Sequence, residues 1–503
     1  MLTKIKSVAL IGLECQEIEV EVDITKGLPG FMIVGLPDKA VFESRDRVKL
    51  AIKNSGAFFP MGHLTINLAP ADLKKEGPAY DLAIAVGILK VSHQIKFDES
   101  KYLFVGELSL DGNLRPVNGV LPIVSFAREK GFAGIFLPQE NFKEANLVPG
   151  INIYPLNSLS DLLKDEGEWR VEKSRGFSLD CVQKITHQND LSLIKGQEFA
   201  KRALEIAAAG GHNLLMSGPP GSGKTLLAKA MVSILPQLTL EEILEVSKIY
   251  SVAGLLSTDQ PLVRERPFRS PHHTSSAVAL VGGGKWPRPG EISLSHRGIL
   301  FLDELPEFPR PVLEVLRQPL EEGKIAISRA QGTITYPASF TLVASMNPCP
   351  CGYLTDPLRD CVCTPVQVAN YQKKISGPFL DRIDLQVEVA RVKYEKLTSD
   401  EQGEASEIVR KRVEKARQIQ SYRFKDSLVV RTNAEMDLEQ IRKHCVIDRE
   451  SQGLLKSAVT QMSLSARAYH RVLKVARTIA DLEENSQIKS RHIAESLQYR
   501  QNH

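Results

Sequence analysis

The run GPPGSGKT, Gly218 to Thr225, narrows the folds open to this chain more than any other stretch. An apolar segment, HNLLMS, precedes it, and LLAKAMVSIL follows with helical apolar spacing. The order is therefore strand, glycine loop, helix, which is the context that the G-x-x-x-x-G-K-[ST] pattern requires. The glycines of Gly218, Pro219, Pro220, Gly221, Ser222 and Gly223 let the backbone come close, so that the N–H groups of the loop (the two prolines have none) face phosphate oxygens. The following helix adds the partial positive charge of its N-terminus. Lys224 is expected at the β- and γ-phosphates and Thr225 on Mg²⁺. These expectations name ATP and Mg²⁺ as cofactors.

Further polar residues stand at the ends of apolar strands. ILFLDE, Ile299 to Glu304, reads as a buried strand ending in two acids. Asp303 is placed to hold Mg²⁺ through water, and Glu304 to orient and polarise the attacking water. TLVASMNP ends a further strand at Asn347, a polar tip for the γ-phosphate or the water. SGPFLDRIDL puts Arg382 before a last strand, where an arginine can reach a neighbouring subunit's phosphate. Arg467 opens the helix SARAYHRVLKVARTIADL and can close over the γ-phosphate from a lid. Ile194, Gly196 and Gln197, upstream, are candidates for adenine contact.

Around this centre the 503 residues divide into three regions. Residues 1–163 mix short strands and helices, as in a compact α+β domain. Within them EIEVEVDI, residues 17–24, alternates acid with apolar side chain, predicting a half-buried strand with an acidic outer face. Residues 164–190 are charged and weakly periodic and read as a linker. Residues 191–395 alternate buried strands with helices, and residues 396–503 are helical. In the last region Val472, Val475, Ala476 and Ile479 form an apolar stripe, with Arg467, Arg471 and Lys474 on another face. The net charge of +4 is too small to establish a nucleic-acid partner. No apolar run approaches the roughly 20 residues that span a bilayer. No secretory signal is evident, so a cytoplasmic location is expected.

Taken together, the motifs resemble the AAA+ clade of magnesium-chelatase ATPase subunits and MCM helicases. Within it RPGEISLSHRGILFLDELPEF, NPCPCGY, SGPFLDRIDL and ARTIADL resemble the YifB/ComM family of magnesium-chelatase-like proteins, over essentially the whole chain. The resemblance implies an α/β architecture: an N-terminal Lon-protease-like α+β domain, a P-loop AAA+ α/β/α core and a C-terminal helical lid. It also implies a hexameric ring with DNA-dependent ATPase activity, a helicase promoting branch migration on single-stranded and branched DNA during natural transformation. A metal-chelatase motor subunit is the alternative, since the same core serves both. The Lon-like resemblance places Ala79 where that family carries its serine and Leu121 where it carries its lysine. Neither can do nucleophilic chemistry, so a fold without peptidase activity is expected.

The clade further implies two insertions. Roughly 60 residues separate the helix after the phosphate loop from ILFLDE, far more than an ordinary loop, which suggests an insertion at the ring pore. Lys285, Trp286 and Arg288 there suit a phosphate backbone and a stacked base. EEGKIAISRAQGTITYPASF resembles the clade's hairpin and exposes Lys324 and Arg329, either for DNA or as solvated charge. The neighbouring His272 and His273 read as contacts to solvent or phosphate rather than as metal ligands. Finally, Cys349, Cys351, Cys361 and Cys363 form C-x-C-x9-C-x-C. Two readings stand: a structural Zn²⁺ site of four thiolates, or reduced thiols of a surface loop.

Overall fold

The computed structural model describes residues 2–174, 176, 189–284, 288–329, 332–392, 403–427, 430–462 and 464–500. The chain forms two compact units, Met1–Gln183 with Leu240–Arg264, and Lys184–Thr239 with Glu265–His503.

The first unit is built on a mixed eight-stranded sheet. From edge to edge it runs Glu172–Lys173, Asn152–Leu156, Gly134–Pro138, Tyr102–Phe104, Leu2–Ile11, Glu14–Thr25, His63–Ala69 and Gly30–Val34. The alternation in residues 17–24 behaves as its period dictates: Ile18, Val20 and Val22 are fully buried while Glu17, Glu19 and Glu21 face out. Lys4 and Lys6 stand opposite the acids on the antiparallel neighbour, with Lys4 Nζ 3.0 Å from Glu21 and Lys6 Nζ 2.6 Å from Glu19. The outer face is thus ion-paired rather than simply acidic. Helix Asp81–Val91 lies in the core, with every side chain but Lys90 buried. Ala79 sits in the turn Pro78–Tyr80 ahead of that helix, and Leu121 is buried in helix Val120–Glu129.

Two segments differ from the sequence reading. Residues 164–173, read as linker, extend the first unit: Glu172–Lys173 pairs with Asn152–Leu156, and the Trp169 ring packs edge-on against Phe97 at 4.8 Å and Phe136 at 5.2 Å. One large apolar ring outweighs the charges around it, because only the ring is buried. Residues 240–264 also belong to the first unit. Helix Leu240–Ala253 brings the Ser251 carbonyl to Gly119 N at 3.1 Å and the Ser251 hydroxyl to Glu144 at 2.5 Å.

The second unit holds a five-stranded parallel sheet in the order Phe268–Arg269, Ile299–Leu302, Thr341–Met346, Leu214–Ser217, Leu385–Glu388. Three of the five, Ile299–Leu302, Thr341–Met346 and Leu214–Ser217, are short and largely apolar runs, as strands buried on both faces require. Helices Glu198–Gly210, Lys224–Ile234 and Ser406–Arg423 contribute to its core. The helical region continues with Leu438–His444, Arg449–Gln461, Ala466–Leu482 and Ser490–Gln498. The predicted stripe on Ala466–Leu482 is buried and serves two cores. Val475 and Ile479 pack with the sheet helices, whereas Val472 and Ala476 pack with Phe424, Ile441 and Ile493. The basic residues beside the stripe are also engaged: Arg471 pairs with Asp384, and Lys474 Nζ donates to Ala434 O at 2.8 Å.

Candidate active site

The phosphate loop leaves the carboxyl end of strand Leu214–Ser217, the edge of a parallel sheet at which ligands bind. Gly218 has no room for a side chain, since a Cβ there would lie 2.2 Å from Val389 O. Gly221 and Gly223 adopt left-handed φ of 76° and 91°, with open space beside them. Helix Lys224–Ile234 starts at once, so its free N–H groups border that space. Lys224 Nζ donates to Gly218 O at 2.7 Å, to Pro219 O at 3.0 Å and to Asn347 Oδ1 at 3.4 Å. Burial pushes its ammonium below the ordinary lysine range, against the pull of Asp303 and Glu304. Ser222 Oγ is buried with no hydrogen-bond partner among the described residues.

Strand Ile299–Leu302 delivers the two acids to the same place. Thr225 Oγ1 donates to Asp303 Oδ2 at 2.9 Å, which puts the hydroxyl and carboxylate expected on Mg²⁺ side by side. Asp303 Oδ1 accepts from the Ser345 hydroxyl and from Glu304 N at 3.1 Å. Glu304 takes a left-handed φ of 53° and keeps its carboxylate exposed. Its side chain has His273 Nδ1 3.6 Å away, and the His272 and His273 rings lie 4.1 Å apart. His273 therefore stands beside an acid of the site, a placement that the sequence reading of solvent or phosphate contact does not give. Asn347 follows strand Thr341–Met346, two residues after Ser345. The donor set, the open cradle and the unpartnered Ser222 hydroxyl fit a magnesium-bound triphosphate. When bound, Mg²⁺ would supply neutralisation of charge on the phosphate oxygens.

Gln197 also reaches this loop. Its Nε2 donates to Ser222 O at 3.4 Å and to Ala390 O, from a backbone at φ 62° that follows Gly196 at φ 67°. Ile194 is buried in the adjoining core. Arg382 is buried, bound through Nη2 to Glu321 at 2.5 Å and through Nη1 to Pro378 O at 2.5 Å, with Nε unpartnered among the described residues. Arg467 is exposed in the first turn of Ala466–Leu482. Of the basic candidates further out, Arg288 and Lys324 are exposed, while Lys285 and Trp286 lie outside the described residues. Lys324–Arg329 and Gly332–Pro337 form the expected antiparallel hairpin, with Ile325 and Ile327 buried and Lys324 on the other face.

Ser345 escaped the sequence reading, although the signal is present. It lies two residues before Asn347, and alternate residues of a strand share a face. The network below the site was also missed. Asp384 is buried between His212, 3.5 Å from its carboxylate, and Arg471. Burial alone would raise Asp384, but the Arg471 guanidinium and His212 hold it far below the usual carboxylate range.

The four cysteines come together as the spacing allowed. Sulfur–sulfur separations are 3.3 Å for Cys349–Cys351, 3.7 Å for Cys349–Cys361 and 3.6 Å for Cys351–Cys361. Cys363 Sγ accepts from Cys351 N at 3.4 Å, and all four ligand atoms lie within 4.8 Å of one another. The cluster can hold a metal ion.

Comparisons with known proteins agree with this architecture. Residues 190–397 match the family model for magnesium chelatase, subunit ChlI, residues 20–141 that for subunit ChlI of Mg-chelatase, and residues 403–500 that for the ChlI C-terminal part. Competence protein ComM of Haemophilus influenzae is 44% identical over 499 residues, 98% of this chain and 96% of that protein. The uncharacterized protein YifB of Escherichia coli is 45% identical over 497 residues, again 98% and 96% of the two chains. The magnesium-chelatase 38 kDa subunit of Rhodobacter capsulatus is 30% identical over 173 residues, 31% of this chain and 49% of that protein. No described helix is long and apolar enough to cross a membrane. With this phosphate cradle and this breadth of identity, the chain belongs to the ComM/YifB family of magnesium-chelatase-like AAA+ ATPases.

Proposed function

We propose that this chain is an ATP-driven motor that acts on DNA as a hexameric ring in the cytoplasm, a helicase that promotes branch migration during natural transformation. The observation that carries the reading is the near full-length identity to a protein named for competence. Lys224 and the loop amides hold the phosphates, Thr225 and Asp303 hold Mg²⁺, and Glu304 polarises the attacking water. Asn347 and Arg467 contact the γ-phosphate, and Ile194, Gly196 and Gln197 border the adenine. Arg382 leaves Glu321 to stabilise the transition state on a neighbouring subunit, so hydrolysis depends on assembly. Lys285, Trp286, Arg288, Lys324 and Arg329 track the DNA strand by backbone charge and stacking.

The cysteine cluster binds structural Zn²⁺ in this reading. Four thiolates at about 2.3 Å from zinc stand about 3.8 Å apart at the corners of a tetrahedron, close to the observed 3.3–3.7 Å. A site closed by four protein ligands has no position left for catalysis.

The partial likeness to a magnesium-chelatase subunit favours a second reading, a motor for metal insertion into a tetrapyrrole. Steady-state ATP turnover separates the two. Single-stranded DNA is expected to raise turnover, with an effect that weakens as salt rises, while proteins of a tetrapyrrole pathway leave it unchanged. Stimulation by the tetrapyrrole components and none by DNA would reverse the assignment.

A further inference from the structure

The cysteine cluster stands next to the phosphate site. Asn347, whose Oδ1 lies 3.4 Å from Lys224 Nζ, precedes the first cysteine by two residues. From Asn347 the chain runs to Thr364, the cap of helix Pro365–Gln372, with no helix or strand between. Structureless loops of this length are uncommon in compact folds unless they serve a purpose. This one buries little apolar surface: Leu354, Leu358 and Val362 are all exposed. Cys349, by contrast, is fully buried, and the four sulfurs are the centre about which the loop turns. The sulfur separations are far beyond the ~2.05 Å of a disulfide, so the sulfurs are not bonded to one another.

The loop backbone presses on the nucleotide machinery through Gly352, the residue after Cys351. At φ 84° it donates its N–H to Cys349 O at 3.0 Å, closing a turn inside the cluster. A Cβ on Gly352 would lie 2.6 Å from Pro220 Cδ and 3.8 Å from Asn347 Cγ. The turn that carries two of the four thiols therefore runs so close to Pro220 of the phosphate loop that no side chain fits between them, and Asn347 borders the same space. Whatever fixes the four sulfurs fixes that turn, and the turn limits where Pro220 and Asn347 can go.

We infer that the metal held by Cys349, Cys351, Cys361 and Cys363 is a positioning element of the ATPase site: it sets Asn347 and Pro220, so that hydrolysis depends on metal occupancy while nucleotide binding does not. This rests on the zinc reading of the cluster. Phosphate binding draws mainly on Lys224 and on the amides after Pro220, which are not among the atoms nearest Gly352. Hydrolysis needs Asn347 in register with the γ-phosphate, and that register is what the cluster holds. Residues that orient a reacting centre from one shell away typically change activity by about 10- to 100-fold.

The test uses the full chain, purified without chelators, with zinc counted by mass spectrometry. It compares wild type, the same protein treated with a soft-metal chelator that leaves Mg²⁺ in place, the chelated protein given Zn²⁺ again, and the double variant Cys361→Ser/Cys363→Ser. For each, Kd for Mg·ATP and kcat are measured separately. The expected result is one zinc per wild-type chain. Its loss lowers kcat at least about tenfold, with Kd within about threefold, and Zn²⁺ restores kcat. Asn347→Ala reproduces the same split. The chelation and restoration arms stand even if the double variant does not fold. Zinc lost with kcat unchanged overturns the coupling and leaves the metal site intact. Wild type without zinc overturns the metal reading itself. Loss of Kd and kcat together overturns the positioning role, because the whole site would then depend on the metal.

Discussion

Asp303 and Glu304 are adjacent acids with different surroundings, and the difference suits the separate roles proposed for them. Asp303 is tied by Thr225, Ser345 and the Glu304 amide, a fixed position that suits the proposed Mg²⁺ ligand. Glu304, turned through a left-handed backbone, stays exposed with His273 3.6 Å off, and is available to water. Glu304→Gln keeps shape and removes the base. Mg·ATP binding is expected to persist while kcat falls by about 10²- to 10⁴-fold; a variant that turns over at the wild-type rate would remove Glu304 from the chemistry. Asp384 gives a pH prediction. Its folded carboxyl is held far below its unfolded value, so its contribution to stability is full above about pH 4 and is lost as pH falls below it. Asp384→Asn removes one side of a buried ion pair and is expected to cost about 3–5 kcal/mol at neutral pH. It also flattens the fall of the thermal midpoint between pH 5 and 3 (acid range set by the carboxylate's unfolded pKa of about 4). An unchanged acid profile would show that the pair is not a source of stability.

At the scale of elements, the parts with a strong period or a special loop were legible in the sequence. The alternation of residues 17–24, the apolar strand before Asp303 and the stripe on Ala466–Leu482 all fold as their spacing dictates. The phosphate loop was legible because its chemistry admits few sequences. What was not legible depends on long-range partners. Trp169 is one apolar ring in a charged stretch, and only Phe97 and Phe136, far away in sequence, show why it is ordered. Helix Leu240–Ala253 has an ordinary amphipathic pattern that does not name the surface it will cover. The pairing of Asp384 with Arg471 joins two polar residues that a sequence reading leaves in solvent. The pairing of Lys324–Arg329 with Gly332–Pro337 was anticipated, as was the exposure of Lys324; the burial of Ile325 and Ile327 was not. If Lys324 contacts a phosphate, Lys324→Ala lowers single-stranded DNA affinity and makes the log Kd–log salt slope shallower by about 0.7. Weaker binding with an unchanged slope would mean that the lysine acts otherwise.

For the whole molecule, the sequence regions and the compact units do not coincide, because residues 240–264 fold with the first unit although the chain on either side belongs to the second. The second unit holds the residues proposed for the nucleotide site: phosphate loop, paired acids, Asn347 and the helical region bearing Arg467. Ala79 and Leu121, both in the first unit, offer neither a nucleophile nor a base. Motor activity, ring assembly and work on DNA all presuppose that a magnesium–triphosphate complex seats between the amides before Lys224 and the carboxylate of Asp303. Titration calorimetry of Mg·ATP into the folded full-length chain tests that directly. Wild type should give saturable heat at one site per chain, and Lys224→Ala should give none over the same concentrations; equal heats from both proteins, or no heat from either, would contradict the account.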